Sequence, residues 1–413
     1  WHELAHVFAI QLSKYHVPRW FTEGLSEYET MIRRPEWQRE LDPELYAALK
    51  RNHLPGALDM NRAFTHAGEE DVEVAYYASS QMLAFTAAEF GFSGITRALE
   101  LWGEGKRTAE VIQAAFGVSP SEYDSRFRAW ALTRLARYEG QYIEPRPVPL
   151  DDAVAAVAAA PESATTHAAL ARALLRAHKA DDAAREVDTA LKISPLDPDA
   201  HFVAARVAAT VKDVAGVERH LRAIKAAGGD GYLIEMKLAD MADARNDKAQ
   251  RRVALEAAHR FDPTQVEAVH ALYEVATAEK RDADALAALR QWAALDQHDR
   301  DGQWKILLKD LVDAKQWDEA KRVGEGALYV DVESAPVHVG YARALAATGD
   351  HDAAAFELQS ALLCDSKPQE KALAHALLAR ERLALGDAAG ARVERDEALK
   401  LDPENAEARS LKL

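Results

Sequence analysis

Cysteine is almost missing from this chain: Cys364 is the single one in 413 residues. That excludes an internal disulfide framework and a cysteine-based zinc site. No apolar run approaches the roughly 20 residues a membrane-spanning helix needs. An excess of cations is lacking too, with 51 Lys and Arg against 67 Asp and Glu and a formal net charge of −16. Phosphate neutralisation requires clustered Lys and Arg, so nucleic acid is set aside as a partner. The acidity is not confined to one tail: residues 1–150 carry 21 acids and 16 bases, and the remainder carries 46 and 35. The start has no initiator Met and no charged, apolar leader. A helix carrying the opening HELAH should begin about a turn before His2, yet only Trp1 precedes it. The chain therefore reads as N-terminally truncated, with any targeting signal upstream.

A composition break organises what is present. Residues 1–140 hold five of the eight tryptophans and alternate helical patterns with short Gly and Pro stops. EPRPVPL (144–150) then places Pro at every second position, which suits an extended linker. The expected division is a first domain over 1–140, a linker and half-repeat cap over 141–162 (with AVAAVAAAP at 153–161), and a repeat array over 163–413.

The array has a measurable period. Helix-ending signatures fall at Ser194, Gly228, Asp262, Asp296, Asp331, Asp365 and Asp402, in steps of 34, 34, 34, 35, 34 and 37 residues. Ala190, Ala258, Ala327, Ala361 and Ala398 lie four residues before their marks, and Ala183, Ala285, Ala320, Ala354 and Ala391 eleven before. Leu-Ala pairs recur at Leu170-Ala171, Leu238-Ala239 and Leu378-Ala379. Antiparallel helices pack closely only where both present small side chains. The period and the small–large pattern resemble the tetratricopeptide (TPR) repeat, in about seven copies. Val217 and Ile224, Trp292, and Leu307-Leu308 depart from the pattern in repeats two, four and five.

HELAH is the chemical motif. On a helix His2 and His6 share one face and can both reach a metal, while Glu3 can contact a metal-bound water. The metzincin continuation is excluded, because Ala9 and Leu12 stand where it requires Gly and His. A second segment, WFTEGLSEYE, supplies Glu23 as a third ligand and Glu27, one turn on, as a hydrogen-bond partner for a ligand histidine. His16 reads as a loop residue, and the acid–His clusters DQHDRD (296–301) and GDHD (349–352) as solvated caps.

HELAH followed by WFTEGLSEY resembles the peptidase MA-like gluzincins, distant relatives of thermolysin and the zinc aminopeptidases. VAYYASSQMLAFTAAEFG (74–91) is similar to that family's A-Y-x-x-S helix, and AFGVSPSEYDSRFRAW (115–130) to its closing helices. The resemblance implies a mainly α chain: the C-terminal part of a gluzincin metallopeptidase domain followed by a TPR α-solenoid. It implies one catalytic Zn2+ on His2, His6 and Glu23, with Glu3 as general base. Tyr76 would donate to the oxyanion, with Tyr77 as the fallback.

The expected function is hydrolysis of a peptide or protein substrate by zinc-activated water, with a protein partner docked in the TPR groove. Its acidity favours a basic peptide there. The alternative is a catalytically silent peptidase-like domain on a TPR interaction scaffold; a pure repeat adaptor with a coincidental HExxH is the third reading. Endopeptidase and aminopeptidase stay open, and bacterial relatives of this layout point to the cell envelope or periplasm.

Overall fold

The computed structural model describes residues 1–34, 37, 41–64, 69–296, 299 and 301–412. Gln297, His298 and Arg300 of the expected cap at 296–301 lie outside the described residues. The described residues are mainly α-helical and contain no β-strand. They divide into two compact units, Trp1–Ala268 and Val269–Leu413.

Seven helices open the first unit: α1 (His2–Leu12), α2 (Arg19–Arg33), α3 (Asp42–Lys50), α4 (Glu69–Phe90), α5 (Phe92–Gly103), α6 (Thr108–Phe116) and α7 (Pro120–Arg134). Their core is aromatic, built on Trp20, Phe21, Tyr77, Phe85, Trp102 and Tyr123. Residues 141–149 form neither helix nor strand. α8 (Leu150–Ala159) then packs on the first of a series of helix pairs. These are α9 (Ala164–Arg176) with α10 (Ala180–Ile193), α11 (Pro198–Thr210) with α12 (Val214–Ala226), and α13 (Tyr232–Ala244) with α14 (Lys248–Phe261). α15 (Val266–Ala278) and α16 (Asp282–Leu295) make the fourth pair. α17 (Gln303–Asp313) with α18 (Trp317–Val330), α19 (Ala335–Ala347) with α20 (His351–Leu363), and α21 (Pro368–Ala384) with α22 (Ala388–Leu401) complete the array before the short α23 (Ala406–Ser410).

The sequence period reappears at three levels. Ala183, Ala190, Ala258, Ala320, Ala327, Ala354, Ala391 and Ala398 have no accessible surface, so the small positions are where paired helices touch. The residue sixteen before each mark adopts a left-handed conformation: His178, Lys212, Asn246, Lys280, Lys315, Gly349 and Gly386, with φ from 56° to 87°. That conformation stops the first helix of a pair and turns the chain back. One residue later, Asp213, Asp247, Asp350 and Asp387 cap the second helix by accepting from a backbone N–H. The departures are absorbed locally. Leu308 occupies an alanine position because Gly340 faces it, where a Cβ would come within 3.0 Å of the leucine. Trp292 is buried and stacks on His270, ring centroids 3.9 Å apart.

The segment after α7 binds the first unit together. Tyr138 donates to buried Asp262 (2.5 Å), and Gln141 reaches the Phe261 carbonyl (3.2 Å) and accepts from Tyr232 N–H (3.0 Å). Tyr142 is sunk among Phe202, Ala205, Leu221 and Ile234 and donates to Asp199 at 3.0 Å. Glu144 pairs with Arg206 (2.8 Å) and Arg172 (3.5 Å). An extended stretch of the chain thus lies along the first helices of the opening repeats.

A His–Glu pair between the two helices of a repeat recurs as well. His167 Nδ1 meets Glu186 (2.6 Å) and its Nε2 the Pro161 carbonyl (2.8 Å). His338–Glu357 and His375–Glu394 repeat the side-chain link. In repeat two the acid is replaced: His201 faces His220, Nδ1 to Nδ1 at 3.0 Å. Burial, joined by the charge of His201, pushes the His220 imidazole down. An unfolded chain then binds the extra proton first, so this site costs stability as pH falls from about 6.5 through the lowered folded value. His220→Glu restores the pairing of the other repeats; we expect a rise of roughly 1 kcal/mol at neutral pH and a flatter loss on acidification, read by urea unfolding across pH.

Candidate metal centre

α1 and α2 carry the site. One helical turn separates His2 from His6, so both rings leave the same face of α1. Their Nε2 atoms come within 3.1 Å of each other. After the break at Pro18, α2 brings Glu23 alongside, its Oε2 3.3 Å from His6 Nε2 and 3.7 Å from His2 Nε2. These three are the one group of potential ligands among the described residues with all donor atoms within 4.8 Å of one another.

The surroundings orient them. His6 Nδ1 bonds Thr22 Oγ1 at 2.8 Å, which leaves Nε2 facing the cluster. His2 Nδ1 is 3.6 Å from Glu27 Oε1. Tyr76 OH donates to Glu23 Oε1 (3.4 Å), which Arg19 also approaches (3.3 Å), while Arg19 contacts the Tyr76 oxygen (3.2 Å). The Tyr76 and Glu23 bonds raise the Arg19 guanidinium above its ordinary value. Arg19 was not singled out from the sequence; its position one turn before Glu23 in PRWFTEG was the available signal. Tyr77 is not brought to the site. It is buried and donates to Asp42 at 2.5 Å, beside Arg134 and Arg137. Glu3 is exposed on α1.

The donor set suits a zinc ion. Zn–N distances of about 2.0–2.1 Å in a tetrahedron put neighbouring ligand atoms roughly 3.3 Å apart, close to the separations found here. Two imidazole nitrogens so near each other need a proton or a cation between them. A metal satisfies both and the carboxylate at once, leaving a fourth position to solvent.

No protein-family model matches the chain, and no curated protein matches it. Among solved structures it is similar to the MamA protein, at 18% identity over 44% of this chain and 97% of that one, with a TM-score of 0.34. It is also similar to YrrB, a TPR protein with an unusual peptide-binding site (12% identity, 62% and 95% covered, TM-score 0.28). The third is pilF of Pseudomonas aeruginosa (16% identity, 60% and 96% covered, TM-score 0.31).

These neighbours are TPR scaffolds and not metallopeptidases, which corrects two expectations. The chain is not assigned to the peptidase MA-like gluzincins, and it is not assigned an enzymatic activity. Glu3 and its neighbours Trp1, Leu4 and Val7 are exposed. The roles of Glu3 as base and of Tyr76 or Tyr77 as oxyanion donor rested on that activity and are not carried forward.

Close packing holds Glu23 in place. A Cβ on Gly24 would stand 2.6 Å from the Ser79 carbonyl oxygen, so α2 and α4 meet at bare backbone. Gly24→Ala forces them apart and should cost about 1–3 kcal/mol, measured by chemical denaturation.

Proposed function

We propose that this chain is a protein-docking scaffold of TPR-like helix pairs whose first two helices are clamped by a zinc ion on His2, His6 and Glu23. The observation that carries the docking reading is the stretch around Tyr142 and Glu144, which lies extended along the first helices of repeats one to three. The face that holds a piece of this chain is built to hold a piece of another. In the second unit the corresponding helices border a groove of about 420 Å3, lined by Leu308, Lys309, Pro336, Val339, Arg343 and Leu373. Stacked helix pairs present such concave surfaces to peptides and helices. No helix among the described residues is long and apolar enough to cross a membrane.

The zinc reading is supported by the convergence of two Nε2 atoms and a carboxylate, and by the Thr22 and Glu27 side chains behind the rings. An ion held there ties α1 to α2, which pack against each other at this cluster.

Metal analysis of the purified chain should return one equivalent of zinc, absent from Glu23→Ala. Glu27→Gln should keep the ion with about 10–100-fold weaker affinity. Zinc at a hundred times its dissociation constant should stabilise the fold by about 2.7 kcal/mol. A chain that stays metal-free after reconstitution overturns the clamp.

A further inference from the structure

Counting back twenty-two residues from the repeat marks lands on Arg172, Arg206, Asp240, Glu274, Lys309, Arg343 and Arg380. Five of the seven are cations, in a chain of net charge −16. Consecutive cations in this row share a carboxylate. In the first unit Arg172 and Arg206 hold Glu144, at 3.5 and 2.8 Å. In the second, Arg343 and Arg380 both approach Glu407 of α23, at 3.8 and 3.7 Å. Two different carboxylates, one from the linker and one from the last helix, have come to the same place in the repeat.

The pair Lys309 and Arg343 stands in the same relation as Arg172 and Arg206, one repeat apart, and both line the 420 Å3 groove. The rest of the groove follows the same register. Pro336 stands where repeat two has Asp199, which receives the Tyr142 hydroxyl, and Val339 where it has Phe202, against which Tyr142 packs. Asp313 and Glu370 also border the groove, and Lys309 pairs with Asp313 at 2.8 Å. Tyr142 and Glu144 are two residues apart, a spacing that puts both side chains on one side of an extended strand.

We propose that repeats five and six take an extended acidic peptide from a partner protein. Its Asp or Glu sits on Lys309 and Arg343, and an apolar or aromatic side chain two residues earlier lies on Val339. Repeats three and four, with Asp240 and Glu274 in the row, reject the same carboxylate. Glu407 competes for Arg343 and so tempers the site. This inference rests on the docking reading and specifies its partner.

The test is selection of a displayed library of random decapeptides on the full chain, beside Lys309→Glu/Arg343→Glu and Glu407→Gln. Both cations and Glu407 are solvent-accessible side chains, so the variants keep the fold, checked by circular dichroism. The native chain should enrich peptides with an acid two residues after an aromatic or aliphatic residue. A selected peptide should bind the double variant at least about ten-fold more weakly and the Glu407→Gln variant several-fold more tightly. Enrichment without acids, or binding untouched by the double charge reversal, overturns the carboxylate seat and leaves the docking reading standing. No enrichment of any peptide overturns the docking reading, and this inference with it.

Discussion

How closely two helices can approach governs the rest of this molecule. Where Ala183, Ala320, Ala354 and Ala391 face a partner helix, backbones come together and larger neighbours close over the contact. Each pair then turns at a left-handed residue and is capped by the next, so one 34-residue unit fixes the direction of the following one. A repeat of this kind cannot bury its own faces alone, and stability accrues from neighbours. The same constraint operates in the opening helices, where Gly24 lets α2 lie on the backbone of α4. Glu23, a candidate ligand, is therefore positioned by a packing requirement one residue away.

Periodicity made the array legible because its causes are local. Alanines at fixed offsets, Asp caps and helix-ending signatures are all written in single residues. The turn position was harder to see, since a left-handed conformation is filled by His178, Lys212, Asn246, Lys280 and Lys315 as well as by glycine. The repeating His–Glu links were missed for another reason: residues nineteen apart meet only once two helices are folded against each other. Ala285, at a small position, is only partly buried, so the sequence frame marks a register more reliably than it marks burial.

At the metal centre the short-range geometry was legible and its setting was not. Spacing of one helical turn places His2 with His6, and the second segment brings Glu23 and Glu27 to them. Such a constellation fixes where an ion can sit. It does not fix what surrounds the ion, which decides whether water is excluded and whether a substrate can be aligned. Tyr76 and Tyr77 show the limit well. Adjacent on α4, they face different neighbours: Tyr76 bonds the candidate ligand Glu23, and Tyr77 is consumed by Asp42 in a network with Arg134. The sequence put Tyr76 ahead of Tyr77; what it could not show is that Asp42 of α3 and Arg134 of α7 hold Tyr77 away from the cluster.

Net charge is a property of the whole chain and says little about any one groove. An overall charge of −16 points toward basic partners, yet fields at a surface are dominated by charges within a screening length of about 8–10 Å. Within that distance the bound linker meets Arg172 and Arg206, and what it offers them is Glu144. Acids stand in and beside the same row: Asp240 and Glu274 occupy it in repeats three and four, and Asp313 and Glu370 border the groove. A scaffold that sets Arg172 with Arg206, and Lys309 with Arg343, in one register can be acidic as a whole and still offer a carboxylate a local seat. The linker is the observed case: Tyr142 and Glu144 lie on the first helices of repeats one and two, with the carboxylate on Arg172 and Arg206.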